Sequence, residues 1–299
     1  MSDKQSQLLK VVTQNIWGKG DLWQERADAI GQNMHDMAVD VLCIQESSPD
    51  HFDYHKRHSF HHFKYAFYAP SNDVSVTPSP AGLAIFSQVP IAISGKVDLG
   101  REAQWKNPWM RIVQYVKLEL PTGQYVSIFN THLFLSPDQM LKGIQGCVDV
   151  MKKPQFADSA RILTGDFNIN LDTQHELLTP LADQQFVDVW RAKNGDSPGY
   201  TDPYAFNKTL AKRIDGFFVQ RDKLDSVIGI SLVNKEPVNS GNLLLSDHIG
   251  VMATFVLAAS KGGRDDTTLL DAHITCTIGG NTPSLISRHL TKMSDATTE

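Results

Sequence analysis

Cysteine is scarce in this chain of 299 residues: the three, Cys43, Cys147 and Cys276, lie far apart. That spacing supports neither a disulfide framework nor a thiolate metal centre, and Cys43 falls inside an apolar run that reads as a buried strand. No stretch approaches the roughly twenty apolar residues that a membrane helix needs. The opening segment, Met1 to Gln7, lacks the apolar centre of a secretory signal, so a soluble, cytoplasmic protein is expected. Internal repeats are absent, and so are the basic runs interleaved with aromatics that single-strand nucleic-acid binders tend to show. The formal net charge is only −5. It argues mildly against nucleic acid, because a local groove of Lys208, Lys212, Arg213 and Arg111 can coexist with an acidic total.

What the chain does have is a series of hydrophobic runs that end abruptly in acids, amides or an imidazole. Val11-Val12-Thr13 leads to Gln14-Asn15, Val39 to Ile44 leads to Gln45-Glu46, and Val126 to Phe129 leads to Asn130-Thr131-His132. Arg161 to Thr164 leads to Gly165-Asp166-Phe167-Asn168, Ile214 to Val219 carries Asp215 near its start, and Ser246-Asp247-His248 follows later. Apolar runs of this length read as strands, and side chains alternate between faces along a strand. Asn130 therefore shares a face with His132, and Asp166 with Asn168, so polar groups distant in sequence converge at one rim of a sheet.

Hydrolysis of a phosphodiester explains why these residue types belong together. A catalyst must neutralise an anion, position a water and stabilise a poor leaving oxygen. Magnesium prefers hard oxygen ligands and keeps several waters, so one or two carboxylates hold it; Glu46 and Asp247 are the candidates, with Mn2+ as a substitute. Asn15 and Asn168 can hydrogen-bond phosphate oxygens without adding charge. His132 and His248 can donate protons to non-bridging or leaving oxygens, and Asp166 is free to orient or deprotonate the water.

Taken in order from about Leu9 to Leu257, these motifs, with Arg213-Ile214-Asp215-Gly216-Phe217, resemble the endonuclease/exonuclease/phosphatase superfamily. The resemblance implies an α/β fold, a two-sheet β-sandwich flanked by helices in four αββα layers, as in pancreatic deoxyribonuclease. It also implies roles: Asn15 and Glu46 at the metal with Asp247 near it, Asp166 and Asn168 at the water and phosphate, and His248 on the scissile phosphate held by Asp215. Arg111 occupies a place where many members carry a phosphate-facing base. The segments Asn15-Ile16-Trp17-Gly18, Arg26-Ala27-Asp28, Asp40 to Glu46 and Gly82 to Ser87 look most like neutral sphingomyelinases. The signatures of inositol 5-phosphatases and abasic-site endonucleases are missing.

The expectation is thus a magnesium-dependent phosphodiesterase, monomeric, acting on a sphingomyelin-like or other small phosphodiester. A nuclease on DNA or RNA, a phosphomonoesterase and a non-catalytic scaffold of the same fold stand as alternatives. Residues 8–258 are expected to form the catalytic domain, and 259–299 a polar tail. The segment Asp21 to Met37 reads as the first crossover helix, and Pro137 to Met151 as another, opened by Ser136. Five histidines between His51 and His62 read as a solvated helix with a Phe52, Phe60 and Phe63 inner stripe rather than a zinc site. Asp215 has a structural alternative as a surface partner of Arg213 or Lys212.

Overall fold

A computed structural model describes residues 7–257 apart from 19, 72–81, 102–109, 203–211 and 239–242. The tail, Lys208 and the Trp105 to Trp109 aromatic cluster lie outside the described residues. Two mixed six-stranded sheets are present. The first contains β1 (Gln7–Asn15), β2 (Val41–Ser47), β3 (Tyr65–Ala69), β4 (Gly82–Ser87), β11 (Val227–Val233) and β12 (Gly250–Leu257), in the order β11-β12-β1-β2-β4-β3. The second contains β5 (Ile91–Arg101), β6 (Met110–Glu119), β7 (Tyr125–His132), β8 (Ser159–Asp166), β9 (Phe186–Asp188) and β10 (Asp215–Gln220), in the order β5-β6-β7-β8-β10-β9.

Strand alternation builds the layers. Leu9 and Val11 of β1, Val41 and Cys43 of β2, Val126 and Ile128 of β7, Ile162 of β8 and Phe217 of β10 meet between the sheets in one buried cluster. The intervening residues face outward: Val12, Leu42 and Ile44 pack under Ile30 and Met34 of α1 (Trp23–Asp36). On the other side Val113, Phe129 and Leu163 pack under Met140, Ile144 and Cys147 of α3 (Pro137–Met151). Four layers, helix, sheet, sheet, helix, follow from the two faces of each strand.

The same alternation carries polar residues into the gap at one end. Continuing the inward series gives Thr13 and Asn15 on β1, Gln45 on β2, Asn130 and His132 on β7, Thr164 and Asp166 on β8, and Asp215 on β10, all buried. Gln45 donates from Nε2 to Asn130 Oδ1 at 2.7 Å and Thr13 Oγ1 at 3.0 Å, and Asn130 donates to Gln114 Oε1 at 3.1 Å. This cross-sheet layer forms a hydrogen-bonded polar floor in which Gln45 Oε1 is left without a partner. Gly165, with φ of +141°, lets β8 lie against β7: a Cβ there would come within 2.0 Å of the Thr131 carbonyl oxygen.

The histidine-rich segment departs from the expected solvated helix. The helix α2 (Pro49–Arg57) ends before His58, and His51 and His55 are buried. His51 completes a capping box with Ser48, accepting the Ser48 amide at Nδ1 while Ser48 Oγ accepts the His51 amide at 3.0 Å. His55 stacks on Phe60 with ring centroids 4.6 Å apart, and neither of its ring nitrogens has a hydrogen-bond partner. Burial, reinforced by neighbouring His51, pulls its pKa down to about 3. Below the ordinary histidine value near 6.5, the unfolded chain takes up a proton that the folded chain refuses, so stability falls as pH drops from about 6.5 toward 3. Urea unfolding at pH 7 and pH 5 should show His55→Phe losing about 2 kcal/mol less than the wild type over that interval; equal losses would contradict it.

Candidate active site

Asn15, at the end of β1, bridges the two sheets. Its Nδ2 donates to Glu46 Oε1 at 3.2 Å and to Asp166 Oδ2 at 3.0 Å, while its Oδ1 accepts the Trp17 amide at 3.0 Å. Glu46 sits at the β2–β4 register shift in the left-handed region, with φ of 62°, and its Oε2 accepts the Gly18 amide at 3.1 Å. Gly18 has no room for a side chain, because a Cβ would come within 2.2 Å of the Glu46 carbonyl oxygen. Asn168 also has a positive φ of 54°; its side chain donates to the Leu133 carbonyl at 2.9 Å, and its amide bonds Asp166 Oδ1 at 2.9 Å. Two non-glycine residues in left-handed geometry within one rim store strain where polar groups are aimed.

His248 donates from Nδ1 to Asp215 Oδ2 at 2.9 Å, and its Nε2 lies 3.7 Å from Asp166 Oδ2. Asp215 thus pairs with His248 rather than with Arg213. Arg213 is buried and committed to Asp172 at 2.8 Å and Asp188 at 2.5 Å, which also withdraws it from any basic groove. Lys212 remains exposed. Thr201 Oγ1 accepts the Ile214 and Asp215 amides at 3.1 and 3.0 Å and fixes the start of β10. Ser246 Oγ donates to the Asn15 carbonyl at 2.7 Å and accepts the His248 amide at 3.1 Å, so the last motif is tied directly to the first.

The charges are strongly interdependent. Burial alone would lower the His248 pKa, but Asp215, Asp166 and Asp247 overcome it and hold the imidazole well above its ordinary value. Burial pushes Asp166 up to about 6 against the opposing pull of His248, and burial pushes Asp247 up to about 6 as well, with Glu46 adding to the rise. His132 is driven the other way, well below its ordinary value, by burial and then by the charges of Arg111 and His248. Its 3.4 Å approach to Asp166 is therefore that of a neutral ring and not an ion pair. Arg111 is buried on β6, close enough to His132 to act on its titration.

One grouping of possible ligand atoms emerges among the described residues. The side-chain atoms of Asp166, Asp215 and His248 lie within 4.8 Å of one another, close enough to share a cation. Glu46 lies beside Asn15, and its charge adds to the burial that raises the Asp247 pKa.

Arg26 is a residue to which the sequence motifs give no role. It is buried in α1, and its guanidinium donates to the carbonyls of Ile16 at 2.8 Å, Trp17 at 2.9 Å, Gly20 and Asp21 at 3.0 Å, and Leu245 at 3.4 Å. One cation thereby pins the loop after Asn15 to the loop before Ser246. The signal available was an arginine standing in line with Ile30 and Met34, every fourth residue on the buried stripe of the helix.

Two sheets packed face to face under outer helices, with carboxylates, amides and imidazoles gathered at one rim, define a deoxyribonuclease-I-like phosphoester hydrolase. The chain belongs to the endonuclease/exonuclease/phosphatase family, whose model matches residues 12–248. It is 29% identical over 197 residues to the inositol phosphosphingolipids phospholipase C of Schizosaccharomyces pombe, covering 60% of this chain and 46% of that protein. The chain therefore spans less than half the length of that relative. Among solved structures, a family protein from Bacteroides thetaiotaomicron superposes with a TM-score of 0.69 at 19% identity, covering 85% of this chain and 99% of that one. Truncated Caenorhabditis elegans TDP2 gives 0.68 at 20% identity, covering 83% and 97%. D. rerio TDP2 complexed with single-strand DNA product gives 0.66 at 18%, covering 83% and 98%. These structural likenesses speak for the fold. Among the described residues, no helix is long and apolar enough to cross a membrane.

Proposed function

We propose that this chain is a magnesium-dependent phosphodiesterase that drives in-line attack of water on phosphorus. The observation that carries the reading is the buried Asp215–His248 pair at 2.9 Å, with Asp166 on the other side of the same imidazole. Water attacks opposite the leaving alkoxide, the P–O ester bond breaks, and a phosphomonoester and an alcohol are released. Asp166, aligned by Asn15 and the Asn168 amide, orients the water and takes its proton. His248, kept protonated by its carboxylates, presents positive charge to the scissile phosphate, while neutral His132 hydrogen-bonds a non-bridging oxygen. Arg111 and Asn168 complete the phosphate contacts.

Glu46, with Asn15 beside it, and Asp247 offer two hard carboxylates that suit a dication, and the buried Arg26 guanidinium that feels both is spent on carbonyls. When bound there, Mg2+ or Mn2+ would neutralise the phosphate and stabilise developing charge on oxygen. The Asp166, Asp215 and His248 group suits the ion less well, because Nδ1 of His248 is already committed to Asp215 at 2.9 Å.

A sphingolipid-type or other small phosphodiester is preferred as substrate. The support is the S. pombe relative together with the loss of Arg213 to an internal ion pair. The test is a parallel assay on sphingomyelin micelles, plasmid DNA, single-stranded RNA and a phosphomonoester panel. Turnover should be fastest on the micelles. Cleavage of DNA or RNA without lipid turnover would transfer the reading to a nuclease, and folded protein inactive on all four would leave a scaffold.

A further inference from the structure

A guanidinium has five N–H groups, and Arg26 commits all five to backbone carbonyls. Its charge is felt through space by Asp247, Asp21 and Glu46, yet among the described residues no carboxylate bonds it. Burying a cation on neutral oxygens alone is unfavourable, and packing does not require it. The carbonyls it selects give the reason.

Two of them belong to successive peptide groups whose amides bind the catalytic rim. Nη1 holds the Ile16 carbonyl at 2.8 Å, and the amide of that same peptide group, on Trp17, donates to Asn15 Oδ1 at 3.0 Å. Nη2 holds the Trp17 carbonyl at 2.9 Å, and the amide across that bond, on Gly18, donates to Glu46 Oε2 at 3.1 Å. In a planar trans peptide the C=O and N–H point in opposite directions, so fixing one end aims the other. The guanidinium thus orients both donors from behind. Carbonyls drawn toward a cation also polarise their own N–H groups, which strengthens the two bonds to the rim.

The intervening backbone is held in place and does not rest there by preference. Trp17 has φ of 53°, a left-handed conformation unfavourable for a bulky residue, and the guanidinium carbon of Arg26 lies 5.0 Å from the centre of its ring. Gly20 closes the other side. Its carbonyl accepts from Nη2 at 3.0 Å, and a Cβ there would come within 2.7 Å of that nitrogen and 2.5 Å of the Trp17 ring. Because Asn15 Oδ1 is taken by the Trp17 amide, Asn15 Nδ2 is turned toward Glu46 and Asp166. The opposite orientation would set an amide oxygen against two carboxylates.

We propose that Arg26 is a positioning residue for the metal: through the two peptide groups on either side of Trp17 it sets the side chains of Asn15 and Glu46 in the orientation that receives a dication. Arg26 has this role only if Asn15 and Glu46 stand at the ion, the reading proposed above. Groups behind the ligands commonly carry this much of a metal's affinity. A lysine at this place would keep the charge but offer three donors from one point instead of a planar fork of five. The lysine variant therefore isolates geometry from charge.

The test is Mn2+ binding to the untagged full chain, read by electron paramagnetic resonance of the free ion, beside melting temperature and Mg2+-dependent turnover. Arg26→Lys should weaken Mn2+ binding about tenfold or more, with kcat largely restored at saturating metal. Gly20→Ala leaves Arg26 in place but crowds its Nη2, so it should weaken binding in the same direction and by less. It decides the matter if the lysine variant does not fold. Were Arg26 only a packing residue, melting temperatures would fall while the folded variants bound Mn2+ with wild-type affinity. That result, or unchanged affinity in Gly20→Ala, would overturn the role of Arg26 and leave the metal site standing. Wild-type protein that binds no Mn2+, or binds it no better than Glu46→Gln, would overturn the reading of the rim and the role of Arg26 with it.

Discussion

Replacing His248 by Ala should lower kcat on bis(p-nitrophenyl) phosphate by about 10³-fold or more, the combined scale of losing a proton donor and a charge-stabilising group. The expectation rests on an imidazole that is buried and bonded to Asp215 at 2.9 Å, and whose pKa is held high by three carboxylates. Asp215→Asn is the sharper companion. It preserves shape and a hydrogen bond but removes the charge that keeps His248 protonated, so its loss should fall mainly in kcat, by about 10²-fold or more. His248→Ala also leaves Asp166 and Asp215 facing each other without a cation, so its melting temperature should be read beside that of Asp215→Asn. A His248→Ala enzyme retaining more than about a tenth of wild-type kcat would remove the pair from the chemistry.

Glu46→Gln should raise the Mg2+ concentration for half-maximal activity by about 10- to 100-fold, with part of kcat recovered at saturating metal. Asp247→Asn should act in the same direction. The result decides where at the rim the ion is held. If the ion is held by Glu46 and Asp247, Asn168→Ala lowers the rate with no change in metal requirement. If the cation instead sits among Asp166, Asp215 and His248, the metal requirement moves with Asp215→Asn and is untouched by Glu46→Gln. Titrating each variant with Mg2+ after exhaustive chelation makes the comparison.

The strands and their polar ends were legible in the sequence because a period of two and an abrupt change of polarity are both local signals. Val126 to His132 announces which residues share a face, and the structure puts Ile128, Asn130 and His132 on the inner one. The cross-strand alignment of His132 with Asp166 depends instead on register between distant segments, which no local pattern fixes. The role of Arg26 was hidden for a related reason: its five carbonyl partners come from two loops more than two hundred residues apart. In the His51 to His62 segment the Phe52, Phe60 and Phe63 stripe packs inward as expected, but the helix is short and ends at Arg57. Tertiary packing against Trp23, Phe60 and Phe86 buried His55, a residue whose polarity suggested solvent. Helix limits differed slightly, α1 beginning at Trp23 rather than Asp21 because Leu22 takes a left-handed turn with φ of 53°. Substrate choice is harder to read because it depends on loops, and the segments 102–109 and 203–211 beside Arg111 and Arg213 lie outside the described residues.

The most direct test of the central claim is hydrolysis of bis(p-nitrophenyl) phosphate before chelation, after EDTA treatment and dialysis, and after Mg2+ is returned. Turnover should vanish with the metal and return with Mg2+, and stay absent in His248→Ala at every Mg2+ concentration. Turnover that survives chelation unchanged, or that Mg2+ restores equally in His248→Ala, would contradict it.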